Sequence, residues 1–196
     1  MRPIPLTALL APWRQIMAKV DAFFGEVTSR HAEALQCRHG CSLCCGQELS
    51  VMLVEAIAVV EGIEKLSART RHELEESAAA ENKPCVFLHE GGCRIYAERP
   101  LLCRSHGLPI RQHGEVAACE LNFTAGHPPD AILDGGWLTA ALTTANGILQ
   151  EQLKLEHTPR VSLRELARRG RAALPEDLIR KLAPSDDASP EEASEL

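Results

Sequence analysis

Between Pro12 and Gln36 the apolar residues Trp13, Ile16, Met17, Val20, Phe23, Phe24 and Val27 recur every three or four positions. That is the period of one helix face, so a long amphipathic helix is predicted, with Pro12 tolerated in its first turn. On this reading the helix delivers Cys37 at its C-terminal end, where Gly40 supplies a left-handed turn. From Val51 to Leu66 a short extended piece is expected to give way to a second helix, with Ala56, Val59, Val60 and Ile63 facing inward. Ser67 is a plausible N-cap for a third helix running to Ala80, and His72 on it reads as a surface residue.

Asn82-Lys-Pro84 breaks this helical texture. The stretch from Cys85 to Tyr96 reads as two short strands joined at Glu90-Gly91-Gly92, and Ala97 to Arg104 as a turn. Ser105 to Pro129 reads as irregular. Loops of that length inside a compact domain are usually functional or tied down by something, and a metal could tie this one down. Helical spacing returns from Trp137 to Leu153 through Ala141, Leu142, Ala145, Ile148 and Leu149. Ser162-Leu-Arg-Glu165 is a capping box for a helix ending at Gly170, and Pro175-Glu-Asp opens another that ends before Pro184. The fold class expected is mainly α, a small helical domain with a short β-hairpin and an irregular cysteine-rich metal-binding region. Its boundaries are read as one domain over 1–184, with a metal-binding core at about 37–119 and a helical part at 130–184. The acidic, apolar-poor residues 185–196 are read as a disordered tail.

Composition narrows the function classes. With 45% hydrophobic residues in 196, the chain can build a core without cross-links. A net charge of −6 argues against a general nucleic-acid binder, and the cluster Arg164, Arg168, Arg169, Arg171 reads as a solvated helix face. The apolar N-terminal run is short and broken by Pro3, Pro5 and Pro12, unlike a signal sequence. No run approaches the roughly 18 apolar residues of a membrane span. A cytoplasmic location and no membrane partner are expected, and in that compartment clustered thiols stay reduced and favour metal over disulfides.

Eight cysteines carry the candidate chemistry, four of them in Cys37-Arg-His-Gly-Cys41-Ser-Leu-Cys44-Cys45 and the others at Cys85, Cys93, Cys103 and Cys119. Soft thiolate suits zinc and iron–sulfur clusters, and the two-residue gap between Cys41 and Cys44 lets one turn of chain present two sulfurs. The eight allow two four-cysteine sites, or one site with spare thiols. Adjacent residues in extended backbone project to opposite sides. Cys44 and Cys45 therefore serve different sites, meet a multinuclear centre from two directions, or form a redox pair. His39, His89, His106 and His113 lie near the thiols but read as loop or supporting residues. Arg94, Arg99 and Arg104 flank Cys93 and Cys103, and Arg104 is the candidate to offset thiolate charge or donate to sulfur.

Three blocks in order carry a family resemblance: Cys37-x3-Cys41-x2-Cys44-Cys45, then Pro84-Cys85-x-Phe87-Leu88, then Gly92-Cys93-x-Ile95-Tyr96-x-x-Arg99-Pro100-x-x-Cys103-Arg104. They resemble the YkgJ-type cysteine-cluster proteins, also called the CxxCxxCC domain, over roughly Cys37 to Cys119. The three-residue gap after Cys37 departs from the two that the family name implies. The resemblance implies a chelated metal, either zinc or an iron–sulfur cluster. Some relatives carry a flagellin lysine methylase function, but no glycine-rich methyl-donor loop follows a strand here. The leading expectation is an iron–sulfur protein acting as a redox or electron-transfer module. The alternatives are a structural or regulatory zinc protein and, third, a methyltransferase-like or thiol-redox enzyme. The partner expected is a metal ion or cluster, and nothing in the sequence identifies a protein partner.

Overall fold

A short helix α1 (Leu6–Leu9) leads into α2 (Ala11–Arg30), with Pro12 in its first turn as the pattern requires. The computed structural model describes residues 5–80 and 85–182; the breaker at 82–84 and the acidic tail lie outside the described residues. Trp13, Met17, Val20 and Val27 are buried along α2, while Ile16, Phe23 and Phe24 pack at the edge of the core.

The predicted continuation of α2 to Gln36 does not occur. The helix stops at His31, whose φ of −130° and ψ of 38° leave the helical region. The His31 Nε2 lies 3.0 Å from the Asp130 carboxylate, and its ring meets Phe123 edge-on. The main chain beyond is then used elsewhere. Ala34 accepts from Phe123 N at 2.9 Å, and Gln36 N donates to the Asn122 side chain at 2.8 Å. Those bonds replace another helical turn, so Cys37 sits in a loop seven residues past the helix. Gly40 does adopt a left-handed φ of 92°, within that loop.

The extended piece at the next segment is β1 (Ser50–Val51), followed by α3 (Leu53–Glu64). Every residue from Leu53 to Val60 is buried, together with Gly62 and Ile63. A helix apolar all round lies inside the molecule, and α3 is the centre of the core. It carries one buried carboxylate. Glu55 accepts from Met52 N and from Leu101 N, each at 3.0 Å, and is only 3% exposed. Then α4 (Ala68–Ala79) begins at Ser67, whose hydroxyl accepts from Thr70 N at 3.1 Å. His72 on it is exposed beside Glu76.

The predicted hairpin is β2 (Leu88–His89) with β3 (Gly92–Cys93), pairing Leu88 with Cys93. Glu90 and Gly91, at φ 48° and 77°, form its two-residue turn, and Gly92 belongs to the strand. Next comes α5 (Leu101–Ser105), which carries Cys103 and Arg104.

The stretch expected to be irregular contains a second hairpin. Strand β4 (Ile110–Gln112) pairs antiparallel with β5 (Glu115–Ala117) around His113 and Gly114, both at positive φ. A short β6 (Leu133–Asp134) adds to β4 in parallel. The long helix α6 (Gly135–Leu153) is capped by Asp134, which accepts from Trp137 N at 3.0 Å. Strand β7 (Val161–Ser162) returns to pair with β1, and α7 (Leu163–Arg169) and α8 (Glu176–Leu182) complete a mainly α architecture. Ser162 caps α7 by accepting from Arg164 N at 3.2 Å, whereas Glu165 is drawn to Arg168. Among the described residues no helix is long and apolar enough to cross a membrane.

The two bonds to Glu55 join α3 to the start of α5, and so set where Cys103 stands. Glu55→Ala leaves both main-chain donors without their acceptor. It is expected to cost about 2–4 kcal/mol in chemical denaturation, more than Glu55→Gln, which keeps an acceptor oxygen.

Candidate metal centre

From His31 to Ser50 no residue is fully buried. Only Ala34, Leu35 and Leu49, at the two ends of this stretch, pack against the core, and polar main-chain contacts position the cysteine-bearing part between them. At one end Asn122 donates from Nδ2 to Cys37 Sγ at 3.2 Å and to Gly107 O at 2.8 Å. Its Oδ1 accepts from Gln36 N, so a side chain 3% exposed uses both ends of its amide. In the middle, Gly40 N donates to Gly91 O at 3.1 Å, seating the loop on the turn between β2 and β3. At the far end Cys85 N donates to Cys45 O at 2.6 Å.

Two glycines make these approaches possible. A Cβ on Gly107 would stand 2.6 Å from Cys37 Sγ, and Gly107 holds a φ of 104°. A Cβ on Gly91 would stand 3.0 Å from the Gly40 Cα. Cys44 and Cys45 lie in a tight 3-10 turn, Leu43–Gly46, with Cys44 exposed and Cys45 half-buried.

Seven of the eight cysteines line one half-open cavity of about 410 Å³; Cys85 is the exception. Arg99, Arg104, His39, His106 and Phe24 also border it. Cys85 remains close in charge, since the Cys85 thiol pushes up both Cys45 and Cys103. All eight predicted thiols are thus brought into one neighbourhood, and all are free of disulfides.

Burial dominates their electrostatics. It pushes Cys37, Cys85 and Cys93 above the ordinary thiol value of 9.0, and takes Cys45 and Cys103 up to about 12 with help from neighbouring thiols. At Cys37 the Asn122 hydrogen bond works against this rise by stabilising the thiolate. Burial also lowers His106, which keeps its imidazole neutral at pH 7.

The arginines separate by role. Arg94 turns away to α4, binding Thr70 O at 3.1 Å and Glu73 at 3.0 Å. Arg99 lies over the Tyr96 ring at 3.7 Å. Arg104 is 5% exposed and reaches Asp21 and Ala97 O, each at 2.5 Å. Its Nε–H is buried and has no hydrogen-bond partner among the described residues. Of the histidines flagged by position, His39 and His106 reach the cavity, while His89 is half exposed beside Glu90.

A bound group must fit these residues. The donor set is soft sulfur, and an orphaned guanidinium N–H borders it, as suits a thiolate-held metal centre needing hydrogen bonds to sulfur. Yet among the described residues no three His, Cys, Asp or Glu side chains stand so that they could hold one metal ion. The chemistry of the donor set fits such a centre.

Asn122 was not legible beforehand, because an asparagine in a loop has no periodicity to reveal it. Its role is measurable. Asn122→Asp keeps the acceptor for Gln36 N and replaces the donor to Cys37 with negative charge. In the metal-free, reduced chain, iodoacetamide alkylation of Cys37 at pH 8 is expected to slow severalfold, with Cys103 unchanged, as followed by peptide mass spectrometry.

A family model described as "CxxCxxCC: Putative zinc- or iron-chelating domain" matches residues 36–120. No curated protein and no solved structure matches the chain. The matched span begins one residue before Cys37 and ends one residue after Cys119. Residues 36–120, with all eight cysteines, are thus the part of the chain that is similar to this chelating domain.

Proposed function

We propose that the eight cysteines hold an iron–sulfur centre and that the protein serves as a redox or electron-transfer module. The observation that carries this reading is the spread of the thiols around one cavity. Four thiolates on one zinc, with Zn–S of about 2.3 Å, stand only about 3.8 Å apart at the corners of a tetrahedron. Seven thiols border one cavity here, more than the four that a single zinc takes. In a cubane cluster four cysteines serve four irons, so the ligand sulfurs stand further apart.

When bound, the cluster supplies one-electron chemistry. The chain's own residues set the conditions for it. Partial burial of Cys45, Cys85, Cys93 and Cys103 raises their thiols and so favours a bound cation over free thiolate. Arg99 favours the Cys93 thiolate, Arg104 borders the same cavity with an Nε–H that has no partner among the described residues, and Asn122 already donates to Cys37. Hydrogen bonds to cluster sulfurs raise a reduction potential by stabilising the more negative, reduced form. A cytoplasmic location, where thiols stay reduced, accords with this chemistry.

The zinc reading is the alternative, since the domain description covers zinc as well as iron. Anaerobic purification separates the two. A brown protein containing iron and acid-labile sulfide is expected. A colourless protein with stoichiometric zinc and no sulfide overturns the redox reading. Arg104→Lys, which keeps the charge and removes the Nε–H, is expected to lower the reduction potential of the brown form by tens of millivolts while iron content is retained.

A further inference from the structure

Order along the chain groups the thiols as Cys37, Cys41, Cys44 and Cys45 against Cys85, Cys93, Cys103 and Cys119. The hydrogen-bonded main chain groups them otherwise. Cys119 belongs with Cys37. Asn122 N donates to Cys119 O at 2.9 Å, the same residue's Nδ2 donates to Cys37 Sγ, and its Oδ1 accepts from Gln36 N. Phe123 N to Ala34 O extends this zipper between the two segments. Cys45 belongs with Cys85, through the 2.6 Å bond from Cys85 N to Cys45 O. Cys85 is in turn fixed to Cys93. Leu88 N donates to Cys85 O at 3.0 Å, and Leu88 is the cross-strand partner of Cys93. Both Cys85 and Cys93 pack against the hydrophobic core, and Cys103 follows on α5, held to α3 by Glu55.

We propose that the eight thiols form two four-thiol sets, Cys37, Cys41, Cys44 and Cys119 against Cys45, Cys85, Cys93 and Cys103, so that the adjacent pair Cys44–Cys45 divides between two metal centres. The proposal rests on the chelation reading above and refines it. Mutual charge sets Cys44 between the two sets, since its thiol acts on Cys37 of the first and on Cys45, Cys85, Cys93 and Cys103 of the second. After burial, and against the Asn122 bond, Cys37 is pushed up by Cys41, Cys119 and Cys44. Cys103, after burial, is pushed up by Cys85, Cys93 and Cys44. Cys44 stands at the junction of the sets, and the four-ligand count places it with the first. The pairing also gives the adjacent cysteines a purpose. One 3-10 turn delivers a ligand to each centre, which a single isolated cysteine could not do.

Two double variants of the full chain, purified anaerobically, decide between this grouping and the sequential one. Metal per chain is read by plasma mass spectrometry and native mass. Cys37→Ala with Cys119→Ala is expected to retain half the wild-type metal, and Cys93→Ala with Cys119→Ala to retain none. The reverse pattern, none in the first and half in the second, overturns the proposal in favour of the sequential sets. Complete loss in both overturns it in favour of one shared centre. Should either double variant fail to fold by circular dichroism, Cys45→Ala with Cys85→Ala (half retained) and Cys41→Ala with Cys45→Ala (none retained) give the same decision. The metal's identity and the sulfide content of the wild type test the iron–sulfur reading separately, because the half-and-none pattern reads only how the thiols are grouped.

Discussion

A loop of twenty residues without one buried side chain, from His31 to Ser50, carries half of the cysteines. Apolar burial specifies little of its course, since a fully buried side chain contributes about 1.5–3 kcal/mol and here only Ala34, Leu35 and Leu49 pack, partly buried, at its ends. Its course depends on a few main-chain hydrogen bonds: to Asn122 at one end, to Gly91 in the middle and to Cys85 at the other. Each such bond has a net worth of about 0.5–1.5 kcal/mol. The thiol loop is thus the part of the molecule with the most to gain from a bound metal. The helical frame, by contrast, has its own continuous core around α3.

Charge makes the same point in a second way. Five of the thiols are raised by burial, and their neighbours add to the rise at several of them. Near neutral pH these groups remain protonated until a cation compensates them. Uptake of metal then releases protons, so affinity increases with pH. The positive groups at the cavity, Arg99 and Arg104, lessen that cost without occupying the metal's place, because Arg104 is anchored away on Asp21 and Ala97 O.

Much of the frame was legible in the sequence because it follows periodicity and end signals. The stripe of α2, the Ser67 and Ser162 caps and the Glu90–Gly91 turn are local features, and they appear where the pattern puts them. What was not legible depends on distant partners. The early end of α2 follows from the hold of Asp130, Phe123 and Asn122 on residues 31–36, roughly ninety positions away in the chain. The hairpin of β4 and β5 was hidden in a short polar stretch with Gly114 as its one cue, and β6 completes it from beyond position 130. At the metal centre the eight cysteines and Arg104 were visible by type and spacing. Asn122 and Gly107 were not, since their roles exist only once Cys37 is folded against them.

Sulfur ligands gathered around one cavity suit centres that each contain more than one metal atom, as proposed above. X-ray absorption fine structure on the anaerobically purified chain tests that proposal most directly, because it reads the ligand atoms and neighbouring metals together. The expected result is a first shell made of sulfur alone, followed by a short metal–metal shell. A first shell of sulfur with no metal–metal shell, or one containing nitrogen or oxygen ligands, would contradict it.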